Sequence, residues 1–524
     1  MRRPLDVLRG YPAHRGTLAS LLESRSSVDA SRSFLRFERE TLSYGEFTLR
    51  AERLARGLLA RGIASGDRVG VMSANSANTV LLFFALARIG AVMVPVNPDF
   101  GAREAGYILQ HANVCAVAAS KAALATARES VHPVAPPPWT FVLDEAIAHL
   151  ERSDRDLPPE PSRDATCLIL YTSGTTGFPK GVMHSQRSFV LAGEGFVARL
   201  WLQPEDCLLC VLPLFHINAL FYSLAGALAA GARLALAPKF SAGAFWRTVA
   251  ETGATQVNII AAIGNILARR PRSEFDPSHR LRVVYGAPVS PELERVFREE
   301  FRVCDVLEGY GMTEIPGAAN NAFDGERRAN SLGKAAVHPD PEVKFAELRV
   351  VGEDGATLPD GQVGEIQVRT PILMQGYYRD PDQTAAAIED GWFRTGDLAW
   401  RDADGYFYFV ARKKDLIRRR GENISGAEID RVVGEHPAVL LCAAIAVPSD
   451  LGEDEILVAI VRKPGAEVSA QEIAVWCRER LAAIKVPRYV AFADSLPLTA
   501  TQRVQKFLLR GDATLLARAV DLLA

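Results

Sequence analysis

Nine short runs of β-branched and apolar residues recur along the first three-fifths of the chain: RVGVMSA, AVMVPVN, VCAVAAS, TFVLD, TCLILYT, ARLALAP, QVNIIAA, LRVVYGA and VCDVLEG. Helical patterns separate many of them. SPELERVFREEF, for example, opens with Ser290 as N-cap and Pro291 at the first helical position. Alternation of this kind predicts an α/β fold whose mostly parallel sheets are covered by helices. Ligands in such folds bind beyond the C-terminal ends of the strands, so chemistry is to be sought in the residues that follow each run.

At 524 residues the chain is too long for one core of ordinary size. The polar, Pro-rich stretch from Glu151 to Cys167 reads as a surface connection between subdomains. From Gly364 to Phe409 short strands and turn signals take over, with a hairpin expected at DADG, 402–405. After the charged ARKKDLIRRRGENIS an α+β unit follows, one of whose helices starts with the capping box Ser469/Glu472. These changes set an expected boundary near Ala411, giving an N-terminal domain 1–411 and a C-terminal domain 412–524.

Some partners are disfavoured at once. A net charge of −2 gives no basic footprint for nucleic acid. Thr79 to Val96 is long and apolar, but Arg88, Gly90 and Pro95 break it into a helix, a stop and a strand, so no transmembrane helix is expected. Seven scattered cysteines and an N-terminus without an apolar signal core point to a reduced, cytoplasmic setting.

The chemistry concentrates in YTSGTTGFPKG, Tyr171 to Gly181, directly after an apolar run. Gly174, the hydroxyls of Thr172, Ser173, Thr175 and Thr176, and Lys180 would make a backbone cradle for phosphate oxygens. The spacing is not that of a Walker A loop, and composition alone also allows an ordinary turn. CLLC, 207–210, has metal-like spacing but no second pair, so it reads as a buried strand.

The order of residues in this loop resembles the phosphate loop of the adenylate-forming (ANL) superfamily, which includes acyl-CoA synthetases, stand-alone adenylation domains and firefly-type luciferases. LPLFHINAL, YGAPVS, LEGYGMTE, GEIQVRTPILMQGYY, GWFRTGDLAW and ARKKDLIRRRGENISGAEID follow in that superfamily's order. The resemblance implies its fold, with a mobile C-terminal domain hinged near Lys414, and an enzyme that uses ATP, Mg²⁺ and coenzyme A. It implies that Tyr310 stacks on adenine, with Gly286, Ala287 and Gly309 along the base edge. It further implies Asp397 and Arg412 on the ribose, Thr313 on phosphate and substrate carboxylate, Glu314 on Mg²⁺, and His216 where acid, ATP and thiol meet. Taken singly, Tyr310 also fits a core aromatic, Glu314 a solvated carboxylate and His216 a buried, hydrogen-bonded histidine.

Two half-reactions are implied: a carboxylate attacks the α-phosphate to give acyl-adenylate and pyrophosphate, then a thiol attacks the acyl carbon after the C-terminal domain has turned. Gly421 would line the thiol path. Arg418, Arg419 and Arg420 beside it suit the phosphates of coenzyme A, though a solvated charge run explains them equally. RKKDLIRRRGENIS looks most like the carnitine/crotonobetaine-type ligases, whose relatives include enzymes for bulky alicyclic and terpenoid acids. The chain departs from the pattern at Gln502-Arg503, where the family has Gly-Lys. That Lys bridges the two anions of the first step. Arg503 implies either a tolerated variant or weak adenylation, with acyl-adenylate then supplied by a partner adenylating enzyme. Carrier-protein loading, a luciferase-like oxygenation and non-catalytic adenylate binding are the competing functions. A homodimer is as compatible with this sequence as a monomer.

Overall fold

The computed structural model describes residues 1–132, 138–172, 179–419, 422–449, 453–498 and 504–522. Packing divides the chain into two units: Met1–Leu348 with Val368–Phe393, and Arg349–Gln367 with Arg394–Ala524. The second unit therefore reaches further back than the expected boundary at 411, and also takes in the 349–367 segment. By packing, the chain crosses between these units inside the strands Glu347–Val351, Gly364–Arg369 and Trp392–Arg401.

The first unit holds two sheets. In the seven-stranded sheet, Val92–Val96, Arg68–Met72, Ala116–Ala119 and Trp139–Val142 run parallel. Thr166–Thr172 (β1) joins that parallel set and pairs antiparallel with Lys180–Ser185 (β2). Helix Gln186–Leu200 (α1) follows β2, with Ser185 as its N-cap. The nine-stranded sheet carries Cys207–Cys210 (β3), Val283–Ala287 (β4) and Asp305–Met312 (β5) in parallel, then turns antiparallel at Ile315–Asn320 (β6). All nine expected runs form strands, and CLLC is a fully buried one, β3.

Helix Ala77–Arg88 is buried along nearly its whole length, which explains its all-round apolarity without a membrane. Gly90 then turns at φ 74° into Val92–Val96. Among the described residues no helix is long and apolar enough to cross a membrane.

In the second unit, Trp392–Arg401 and Phe407–Arg412 form the expected hairpin, its turn held by the Asp402 carboxylate accepting from the backbone N–H of Asp404 and Tyr406. Beyond it, Val439–Pro448, Asp454–Arg462 and Tyr489–Phe492 build a sheet whose core includes helix Ala470–Arg478, capped by Ser469 and Glu472 as expected.

Candidate active site

In the first unit, the candidate residues gather where strands end. Thr172 closes β1 and Lys180 opens β2, while Ser173, Gly174, Thr175 and Thr176 lie outside the described residues. Gly286 and Ala287 end β4, and Gly309 and Tyr310 lie in the last half of the adjacent β5. Thr313 and Glu314 form the two-residue turn between β5 and β6, where Met312 pairs with Ile315.

Side chains and backbone from neighbouring elements pin that turn. His184, on β2, donates from Nε2 to the Thr313 carbonyl at 2.7 Å. Burial drives the His184 pKa down to about 4, so the ring is neutral and acts as a fixed donor. Tyr377 donates its hydroxyl to Glu314 Oε1 at 2.9 Å, and the Met374 N–H donates to the Glu314 carbonyl at 2.9 Å. Lys180 Nζ lies 5.0 Å from the Tyr377 ring centroid and donates to Gln383 Oε1 at 2.7 Å. Sequence reasoning missed His184 and Tyr377. The one signal for each was its place inside a quoted or adjoining motif, with nothing to say which backbone group it would meet.

The glycines of this region are set by packing as well as by any ligand. A Cβ at Gly309 would lie 1.9 Å from the Tyr285 hydroxyl, and one at Gly311 would lie 2.8 Å from the Tyr222 hydroxyl. His216 sits in the turn after β3, half-buried, its backbone N–H bonded to the Pro213 carbonyl, and leads into the π-helical turn Asn218–Leu224.

In the second unit, Asp397 is 2 % exposed and stands directly opposite Arg412 in the hairpin. Arg412 Nε approaches Asp397 Oδ1 at 3.2 Å. Glu365 holds the Gly396 N–H at 3.0 Å, and Lys413 lies 3.6 Å from the same carboxylate, so the strand bearing Asp397 is anchored by charge. An acceptor-only carboxylate and a guanidinium on facing positions fit the two hydroxyls of a ribose. Lys414 sits in the short turn Lys413–Asp415, its pKa lowered by burial and then by Arg412.

Arg419 departs from its expected role. It is 5 % exposed, pairs with Glu455 at 2.8 Å and donates to the carbonyls of Ile484 and Val486, so it is an interior cation and not a surface one. Arg418 is exposed, with its backbone N–H held by Asp454. Arg420, Gly421 and Arg503 lie outside the described residues. Lys506, the next cation after Arg503, ion-pairs with Asp430 Oδ2 at 2.5 Å, its side chain 14 % exposed.

In the first unit parallel strands lead to a pinned Thr-Glu turn, and in the second a buried carboxylate faces a guanidinium, an arrangement in keeping with the adenylate-forming enzymes that the motifs resemble. The chain belongs to the AMP-binding enzyme family, whose pattern matches residues 22–378, with the AMP-binding enzyme C-terminal domain matching residues 428–503. It is similar to the sulfoacetate–CoA ligase of Cupriavidus necator, 35% identical over 96% of this chain and 99% of that one. It is also similar to the crotonobetaine/carnitine–CoA ligase of Salmonella paratyphi B, 31% identical over 96% of this chain and 99% of that one. Among solved structures, the anthranilate CoA ligase AuaEII in complex with anthranoyl-AMP superimposes with a TM-score of 0.86 at 26% identity, covering 97% of this chain and 98% of that one. Within the family it is an acyl-CoA ligase of the AMP-forming kind, joining an acid to coenzyme A through an acyl-adenylate. Glu314, a half-buried carboxylate at a turn tip, has the oxygen chemistry that Mg²⁺ requires.

Proposed function

We propose that this ligase forms acyl-adenylate slowly and converts supplied acyl-adenylate to the CoA thioester readily. In the first step a carboxylate oxygen bonds to the α-phosphorus of ATP and the bond to pyrophosphate breaks. Two anions meet, so a cation between them lowers the barrier. The observation that carries the proposal is Lys506 bound to Asp430: with that ammonium committed, the bridging duty on this loop falls to Arg503. The guanidinium is a larger, planar donor, and Gln502 restricts the loop more than glycine would. A displacement of about 1 Å costs on the order of a hundredfold in such a step.

The rest of the site is assigned as follows. Tyr310 takes the adenine, with Gly286, Ala287 and Gly309 at its edge, while Asp397 and Arg412 take the ribose. The 172–180 loop with Lys180 takes the phosphates, and Thr313 and His216 orient the acid. Glu314 would hold Mg²⁺, which when bound neutralises charge on the phosphates. In the second step the C-terminal domain pivots near Lys414 and brings Gly421 to the thiol path. The sulfur bonds to the acyl carbon, the acyl–phosphate bond breaks, AMP leaves with the electron pair, and the thiol proton passes to solvent. Arg503 is not needed there. The relatives are named for acids that range from sulfoacetate and crotonobetaine or carnitine to indoleacetate and long-chain fatty acids, so their names do not favour the bulky alicyclic or terpenoid acid that the hinge motif suggested over a compact one.

The test pairs two assays on the full chain: pyrophosphate release with acid and ATP, and thioester formation from synthetic acyl-adenylate and CoA. Wild type is expected to be slow in the first and fast in the second, and Arg503→Lys to raise the first about ten- to a hundredfold. Brisk pyrophosphate release by wild type with no gain from Arg503→Lys sinks the proposal. Transfer to a phosphopantetheine carrier protein but not to CoA would favour the loading function. Tight adenylate binding without turnover would favour a non-catalytic one.

A further inference from the structure

Arg199, near the end of α1, is 3 % exposed, and among the described residues no carboxylate lies within ion-pairing distance of it. Its Nη1 donates to the Tyr285 hydroxyl at 3.2 Å, and its Nε has no hydrogen-bond partner. The guanidinium carbon lies 5.4 Å from the ring centroid of Tyr222 and 5.6 Å from that of Tyr285. Ring faces offset part of the cost of burying a cation, but they leave its N–H donors without an anion.

The position of this cation gives it a use. A Cβ at Gly317, on β6, would lie 2.1 Å from Arg199 Nη2. Gly311 faces Gly317 across the hairpin, and a Cβ there would lie 2.6 Å from the Gly317 backbone nitrogen. Gly311 is itself exposed. The guanidinium and the two tyrosine hydroxyls thus form a donor cluster directly behind the hairpin whose tip is Thr313 and Glu314. Two glycines, without side chains, are what the hairpin packs against the cluster, and Gly311 is the exposed one of the pair. Tyr222 belongs to the helical turn that starts just after His216.

Resting on the reading of this chain as an acyl-CoA ligase, we infer that its acid carries a second anionic group, a carboxylate or sulfonate at the end remote from the reacting carboxyl, and that Arg199 binds it with the hydroxyls of Tyr222 and Tyr285. Arg199 is then a specificity-determining residue. It selects the acid and takes no part in either bond-making step.

The experiment supplies each acid as its synthetic acyl-adenylate with CoA, so that slow adenylation does not mask the result. The acids are the dicarboxylates from malonate to adipate and sulfonated acids of the same lengths, each set against a monocarboxylate ending in an alkyl group of equal size. Wild type is expected to prefer one anionic acid at least tenfold in kcat/KM over its neutral counterpart. Arg199→Met should bring that ratio towards one, and Arg199→Lys should restore part of it. Preference for a carboxylate or for a sulfonate identifies the anion. Thioester from neutral acids alone, or a ratio unchanged in Arg199→Met while the melting temperature falls, overturns the inference but leaves the ligase reading intact. No thioester from any adenylate overturns both.

Discussion

Lys506→Met separates a structural cation from a catalytic one. Asp430 lies on helix Gly426–Gly434, where its Oδ1 accepts the Ala444 N–H at 2.5 Å and its Oδ2 pairs with Lys506 at 2.5 Å. Burial raises the Asp430 pKa, and Lys506 is the first of the influences that pull it back down. Removing one partner of a fully buried pair costs about 3–5 kcal/mol. With side chains 26 % and 14 % exposed, this pair should cost less, about 2–3 kcal/mol. The sign with pH follows from linkage: a carboxyl whose folded pKa is raised binds more protons folded than unfolded, so its burden on stability grows as pH rises above the unfolded value. Losing Lys506 raises that folded pKa further. The destabilisation should therefore be small near pH 4 and largest at neutral pH and above, and Lys506→Met with Asp430→Asn should recover most of it. Urea unfolding at several pH values reads this, with hydrogen exchange of peptides covering 426–434 and 504–510 to localise it. Pyrophosphate release per folded molecule should stay within about threefold of wild type, since the cation is not at the phosphate. A hundredfold fall in pyrophosphate release with no loss of stability would refute the assignment, make Lys506 the bridging cation, and remove the ground for the proposal on Arg503.

Gly309→Ala sets a methyl 1.9 Å from the Tyr285 hydroxyl and 2.7 Å from its ring carbon, so a fully buried ring must move and release Arg199. A loss of about 2–4 kcal/mol in urea unfolding is expected, partly recovered by adding Tyr285→Phe, and full stability in the single variant would contradict the packing. Burial pushes the Glu308 carboxyl up to about 7, so the folded state holds its proton between about pH 4.5 and 7 and this group's effect on stability turns unfavourable across that window as pH rises. Glu308→Gln should gain up to about 3 kcal/mol over wild type at pH 8 and nothing near pH 4, and an equal shift at both would show that charge is not the cause.

The sheets were legible because strand composition and helix signals agree locally over most of the chain. The site was legible in its backbone and only partly in its side chains. Counting back from the DADG turn would set Asp397 opposite Ala411, but a bulge between Leu398 and Ala399 shifts the register by one residue and sets it opposite Arg412. No run of letters announces a bulge. The same limit governs the cations. Arg419, Lys506 and Arg199 are each a basic residue whose partner the local sequence does not name. What separates them is a carboxylate far along the chain: Glu455 meets the first and Asp430 the second, while among the described residues Arg199 meets none. A buried cation with its counter-charge built in is accounted for by the fold. One held by ring faces and a hydroxyl keeps donors for an anion from outside, and in a ligase of acids the substrate is the molecule that brings one.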